Sequence, residues 1–248
     1  MRRRFFVEKF AGQTATMQGE TAHHLGRVLR AQPGQLYELS DGAKVWLGRI
    51  DAVSRDLINF ELLEELPAHQ SPLETTLLLA VVKFDAFEWA LEKATELGVS
   101  HIIPLAAERS EKGLLAAAAK RAERWQKILL ESSQQSRRVQ LPTLHALAKP
   151  EAAFAKSSNN SAATKSPDAV RVMLSESPEA QSLKNVLDGK HGTSAVLAIG
   201  PEGGWTETEF SIARSASFAE TSLGHLILRT ETAVAAALAT LNYALTES

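Results

Sequence analysis

Two stretches of this chain carry the residues best suited to chemistry, and both lie where a predicted strand gives way to a predicted helix. The first is Ala198-Ile199-Gly200-Pro201-Glu202-Gly203-Gly204-Trp205-Thr206. An apolar run enters a loop holding three glycines and a proline, and a helical pattern starts directly after it. Glycines let backbone amides approach a ligand closely. The crevice beyond the strand C-termini is the usual ligand site of open α/β sheets. A tight turn rarely needs three glycines and a proline together, so ligand binding is the favoured reading over a plain turn. The spacing is neither the dinucleotide fingerprint nor a P-loop, because no Gly-Lys-Ser/Thr follows. The second stretch is Ser222-Leu223-Gly224-His225-Leu226-Ile227-Leu228-Arg229-Thr230-Glu231-Thr232-Ala233. There an apolar segment meets Arg229, Thr230 and Glu231 ahead of an alanine-rich helix. Arg229 reads either as a salt-bridged structural residue or as a guanidinium aimed at negative charge, and the residues alone leave both open.

Other chemistries are excluded or unsupported. The chain has no Cys, which removes disulfides, thiolate metal sites and cysteine nucleophiles. Its seven His are scattered. His23 and His24, adjacent in a predicted helix, cannot share one face. No metal is therefore expected.

The elements that must position these stretches differ between the two parts of the chain. The first seventy residues read as β-rich: strands at Arg4–Val7, Gly34–Leu39, Val45–Ile50 and Leu57–Leu63, with a hairpin signal at Asp41-Gly42. Glu20–Leu29 reads as a helix with Thr21 as its cap. Short strands at this spacing predict a small barrel over residues 1–70. Alternating strand faces predict that one of Phe5 and Phe6 is buried in it. Pro67–Pro72 is a linker by composition. From residue 73 to 248 strands alternate with helices, which predicts an α/β domain. Thr75–Val82 is an unbroken apolar strand of the buried parallel kind. Phe87–Leu97 is an amphipathic helix closed by Gly98. Ile102–Leu105, Val170–Leu174 and Ala195–Ile199 are further strands, and Ala116–Ser133, Glu207–Ser215 and Thr232–Ala244 further helices. Thr206 caps the helix after the glycine loop, with Glu209 completing a capping box. Ala153–Pro167, rich in Ser, Ala and Asn, reads as a mobile surface loop.

The net charge of −2 gives no support to nucleic-acid binding, but its distribution does. The first thirty residues carry Arg2, Arg3, Arg4, Lys9, Arg27 and Arg30 against Glu8 and Glu20 alone. A basic end on an otherwise acidic chain suits a phosphate footprint, and equally a solvated terminus. The N-terminus lacks the apolar core of a signal peptide, and no apolar run is long enough to span a membrane. Together with the absence of Cys, this fits a cytoplasmic protein.

Gly200-Pro201-Glu202-Gly203-Gly204, followed about twenty residues later by Leu223-Gly224 and Ile227-Leu228-Arg229-Thr230-Glu231-Thr232-Ala233, resembles SPOUT-class methyltransferases. Within that class the match is to the ribosomal RNA small subunit methyltransferase E family. Lys93-Ala94-Thr95-Glu96-Leu97-Gly98-Val99, Glu108-Arg109-Ser110, Arg124-Trp125-Gln126-Lys127-Ile128, Arg4-Phe5-Phe6-Val7 and Val28-Leu29-Arg30 are also similar to that family, so the likeness covers nearly the whole chain. One departure is Gln135-Ser136-Arg137-Arg138, where the family often reads Gln-Ser-Gly-Arg; a reshaped loop is expected there. The resemblance implies a PUA-like RNA-binding β-barrel over 1–70 and a SPOUT-type α/β domain with a C-terminal trefoil knot over 73–248. It implies S-adenosylmethionine as cofactor, held by Leu174, Ser175, Gly200, Pro201, Glu202, Gly203, Gly204, Leu223, Gly224, Ile227, Leu228 and Arg229. It also implies a homodimer that methylates N3 of a uridine in 16S ribosomal RNA of the small subunit. Arg229 is then the candidate catalytic cation, and Arg2, Arg3, Arg4, Arg27 and Arg30 are candidate RNA contacts. A SPOUT enzyme acting on another RNA or atom, and an RNA-binding protein without activity, are the alternatives.

Overall fold

Alternation of apolar and polar residues lays down the first part of the chain as a sheet. The computed structural model, which describes residues 3–158 and 169–246, places β1 (Arg4–Phe6), β2 (Phe10–Ala11), β3 (Thr14–Gln18), α1 (Gly19–His23), a π-helical turn (His24–Val28), β4 (Leu36–Ser40), β5 (Val45–Val53) and β6 (Leu57–Leu66) there. The strand order is β1-β4-β5-β6-β3-β2. The β1–β4 pair is parallel and the others antiparallel. The two end strands do not pair with each other, so the sheet is a half-barrel. Along β3 exposed and buried residues strictly alternate, which puts Ala15 and Met17 into the core beside Phe5, Leu25, Leu39, Ile50, Ile58 and Phe60. Thr21 is not the helix cap. The helix starts at Gly19 after Gln18, whose side chain makes no capping bond.

Residues Met1–Gln70 form one unit with Ser133–Leu141, a stretch that the sequence reading leaves in the second domain. The join is polar. Arg4 pairs with Glu38 at 2.9 Å and donates to the Arg137 carbonyl, and the Ser40 hydroxyl donates to the Val139 carbonyl at 2.7 Å. Arg137 has φ 56°, a left-handed conformation. A left-handed backbone is one that glycine adopts without strain and other residues rarely do.

The second unit comprises Ser71–Ser132 and Pro142–Ser248. Its elements are β7 (Glu74–Ala80), α2 (Phe84–Glu96), β8 (His101–Leu105), α3 (Lys112–Gln135), β9 (Thr143–Leu144), α4 (Pro150–Ser158), β10 (Val170–Leu174), β11 (Gln181–Ser182), α5 (Leu183–Leu187), β12 (Ser194–Ile199), α6 (Glu207–Ser215), β13 (Ala219–Ser222) and α7 (Thr230–Leu245). The last turn of α3 is counted with the first unit. The sheet order is β11-β13-β10-β12-β7-β8-β9, and every pair is parallel. Such sheets are covered on both faces, and all six residues of β12 are buried. One face packs Leu77, Leu79, Val172 and Leu197 under residues of α2, α3, α5 and α7; the other packs Leu78, Met173, Val196 and Ala198 under α4 and α6. Strand β12 lies between β7 and β10, both earlier in the chain. The first part of the Ala153–Pro167 stretch is helical, to Ser158, and its remainder lies outside the described residues.

Candidate functional site

Parallel register brings the sequence-predicted loops to one edge. Strands β13, β10 and β12 are neighbours; Met173 is opposite Ala198, and Leu174 is opposite Thr221. The three strands therefore end level, and the chain leaves them at Ser175, Gly200 and Leu223 on the same side of the sheet. This is the C-terminal crevice where open α/β sheets take ligands.

The loop after β12 is tied down at every step. The Gly204 amide donates to the Pro201 carbonyl at 2.8 Å, and Gly204 has φ 70°. The Trp205 ring covers Gly200 so closely that a Cβ there would lie 2.9 Å from it. The indole Nε1 donates to the Leu174 carbonyl at 3.0 Å, which joins this loop to the end of β10. Thr206 and Glu209 form the expected capping box. Glu209 is buried, and its other oxygen accepts from the Glu108 amide at 2.9 Å. The adjacent Arg109 donates from Nη1 to the Gly203 carbonyl at 2.9 Å, and its stem lies 3.3 Å from where a Gly203 Cβ would be. A buried carboxylate accepting several N–H and O–H donors is a strong fixing point. Trp205, Glu209 and Arg109 thus shape the loop. Their types are visible in the sequence, but their partners lie up to a hundred residues away, so only the capping box carries a local signal.

The other two exits are simpler. Ser175 donates its amide to the Thr221 carbonyl at 2.8 Å, and its hydroxyl accepts from the Ser177 amide at 3.1 Å. After β13, Leu223 and Leu228 pack against the core, while Leu226 and Ile227 are 82% and 77% exposed. Gly224 has φ 130° and open space where a side chain would go. Arg229 is exposed at the start of α7; among the described residues its guanidinium makes no hydrogen bond or ion pair. The salt-bridged reading of Arg229 therefore has no partner to support it.

This edge fits a neutral, flat-faced cofactor group. It offers apolar side chains (Leu174, Leu223, Ile227, Leu228), the exposed glycines Gly203 and Gly224, and one unpaired cation. Among the described residues no group of three or more His, Asp or Glu is placed to hold a metal ion. Elsewhere in this unit, His101 links Glu74 at 3.4 Å to His145 at 3.2 Å. Burial, then the charges of His101 and Lys156, hold His145 below the ordinary histidine pKa.

The candidate RNA contacts divide. Arg3, Arg27 and Arg30 are exposed. Arg4 is a correction: its side chain is 9% exposed, and its guanidinium is engaged by Glu38 and the Arg137 carbonyl, so it is not available to phosphate. Arg2 lies outside the described residues. Phe5 is fully buried and Phe6 half-buried, as strand alternation predicts.

Comparison with known proteins agrees with this architecture. Residues 69–242 match the model of the RNA methyltransferase domain, and residues 18–63 that of the RNA methyltransferase PUA domain. The chain is 34% identical to the ribosomal RNA small subunit methyltransferase E of Synechocystis sp., over 97% of this chain and 76% of that protein. It is 29% identical to the Bacillus subtilis protein of the same name, over 97% and 96%. The crystal structure of the Neisseria gonorrhoeae ribosomal RNA small subunit methyltransferase E bound to S-adenosylmethionine superposes with a TM-score of 0.84 at 31% identity, covering 99% of this chain and 98% of that one. A Legionella pneumophila protein solved with the same cofactor has a TM-score of 0.85 at 26% identity, covering 98% of each. The α/β fold with an N-terminal PUA-like domain is the one expected, and no described helix is long and apolar enough to cross a membrane. The chain belongs to the ribosomal RNA small subunit methyltransferase E family.

Proposed function

We propose that this protein uses S-adenosylmethionine to methylate N3 of a uridine in 16S ribosomal RNA, acting on the small subunit in the cytoplasm as a homodimer. The observation that carries the reading is the pairing, at one sheet edge, of a rigid glycine loop with an unpaired guanidinium, Arg229. Support for the cofactor also comes from relatives solved with it. The family likeness further implies a trefoil knot in the second unit.

The loops at residues 174–175, 200–204 and 223–229 hold the cofactor, backbone groups reading its edges and Leu174, Leu223, Ile227 and Leu228 its faces. Bound there, it supplies a methyl group already activated on a sulfonium. The chain's own contribution is alignment and charge. It must hold uridine N3 in line with the methyl carbon and keep water out. N3 is protonated at neutral pH, so as its proton leaves, negative charge spreads to O2 and O4. Arg229 stabilises that charge. N3 lies on the Watson–Crick face, so the target is unpaired or flipped out. The PUA-like unit binds the RNA through exposed cations, among them Arg3, Arg27 and Arg30.

Primer extension on 16S ribosomal RNA tests this directly, because N3-methyluridine blocks reverse transcription. Deleting the gene removes one stop, and the wild-type gene restores it. An unchanged stop pattern on deletion overturns the reading.

A further inference from the structure

Within the PUA-like unit, α1 and the π-helical turn face the hairpin turn between β5 and β6 across a cleft of about 420 Å³, lined by His23, Gly26, Arg27, Val53, Ser54 and Arg55. Both walls are fixed. The Ser54 amide and hydroxyl both donate to the Leu57 carbonyl, at 2.8 and 2.9 Å, closing the hairpin turn. The Gly19 amide donates to the Asp56 carbonyl at 3.2 Å, which ties that turn to the start of α1. Gly26 lies on the floor of the cleft. A Cβ there would lie in ordinary contact with a Val53 methyl at 3.4 Å and an Ile58 methyl at 3.8 Å, so a bulky branched side chain at this position would compete for the space between these walls. π-Helical turns are rare and concentrate at functional sites. This one sets Arg27 four residues after His23, with Nη1 3.4 Å from the His23 Nε2. Arg55, on the opposite wall, is exposed and has no partner among the described residues. No Asp or Glu lines the cleft.

We infer that this cleft binds one splayed-out nucleotide of the single-stranded RNA substrate. Its phosphate is held by Arg27 and Arg55, and its base lies on the apolar floor at Gly26 and Val53. The inference rests on the proposed function, which supplies RNA as the ligand. Two guanidiniums suit phosphate oxygens, a carboxylate-free lining suits an anion, and the volume lies within the range that holds a nucleotide-sized ligand. RNA-binding domains commonly recognise unstacked single-stranded nucleotides in this way.

The test uses the full chain and 16S ribosomal RNA purified from a strain lacking the methylation. Affinity is measured across a salt series for wild type, Arg27→Ala/Arg55→Ala, Gly26→Leu and, as a control for loss of charge elsewhere on the unit, Arg49→Ala, whose exposed guanidinium pairs with Glu61. The double variant is expected to bind about 10- to 100-fold more weakly, since two charge-assisted hydrogen-bonding groups are lost. Its salt slope flattens by about 0.7, the value for one single-strand phosphate contact. Gly26→Leu weakens binding with no charge removed, and Arg49→Ala stays within about twofold of wild type. All variants keep wild-type S-adenosylmethionine affinity by calorimetry and the wild-type far-ultraviolet circular dichroism and thermal unfolding, which together show that both units are folded. If wild type binds and methylates the RNA while the double variant and Gly26→Leu match it in affinity and slope, the cleft is not an RNA site. If wild type neither binds nor methylates the RNA, the proposed function fails and this ligand with it.

Discussion

The loop after β12 and the loop after β13 leave the same edge of one sheet, yet they are held in opposite ways. Gly200–Thr206 is anchored by Trp205 to β10, by Glu209 to its own helix and to the turn at Glu108, and by Arg109 at Gly203. Leu223–Arg229 has only its two ends packed, at Leu223 and Leu228, and presents Leu226, Ile227 and Arg229 to solvent. The difference separates two tasks. A loop whose backbone must meet a ligand closely gains from being fixed before the ligand arrives, because ordering it afterwards reduces affinity. Apolar side chains and a cation left exposed contribute little to folding and are free to act on a bound partner. Substitutions in the first loop should therefore change stability and binding together, and those in the second should change function alone.

The largest expected effect is at Gly200. Gly200→Val forces a side chain into the Trp205 ring, a rigid neighbour. Calorimetry should show S-adenosylmethionine affinity reduced at least ~100-fold, and chemical denaturation a loss of about 1–3 kcal/mol from overpacking. Unaltered binding and stability together would remove the rigid-loop half of the comparison. Next is Arg229→Ala. Its single-turnover methyl transfer should slow by ~10²–10³-fold with its melting temperature unchanged, because its charge is unpaired in the fold and acts in the transition state. A large drop in melting temperature would show that the residue is structural. Thr206→Ala removes one side of the capping box and should cost about 1 kcal/mol by denaturation, with a smaller loss of cofactor affinity through the displaced loop. The smallest stability effect is at Ile227. Ile227→Ala should stay within about ±0.5 kcal/mol of wild type, while cofactor affinity falls measurably. Equal and substantial losses of stability at Thr206 and Ile227 would erase the distinction between the loops.

Much of this arrangement is legible in the sequence, and the rest is hidden for identifiable reasons. The strand at Ala195–Ile199, the helix at Glu207–Ser215 and the Thr206–Glu209 box all carry local signals, and each is present. Strand β3 has none: Thr14-Ala-Thr-Met-Gln18 alternates faces, but with only Ala15 and Met17 facing inwards its apolar pattern is weak. Arg4 looks like the other basic residues of the terminus, and only the distant Glu38 and Arg137 reveal that it is internal. The return of Ser133–Leu141 to the first unit has the same character, since its partners lie about a hundred residues earlier. Around the glycine loop, Arg109 and Trp205 gain meaning only through contacts that span the chain. Long-range polar contacts, more than periodicity, are what the sequence conceals here.

The most direct test of the account is a single-turnover reaction read by nucleoside mass spectrometry. Purified wild-type and Arg229→Ala proteins are each given saturating S-adenosylmethionine and small-subunit particles from a strain lacking the methylation. Wild type is expected to form N3-methyluridine at one position of 16S ribosomal RNA, and Arg229→Ala the same product far more slowly at wild-type cofactor occupancy. Methylation of a different atom, or equal rates for the two proteins, would contradict it.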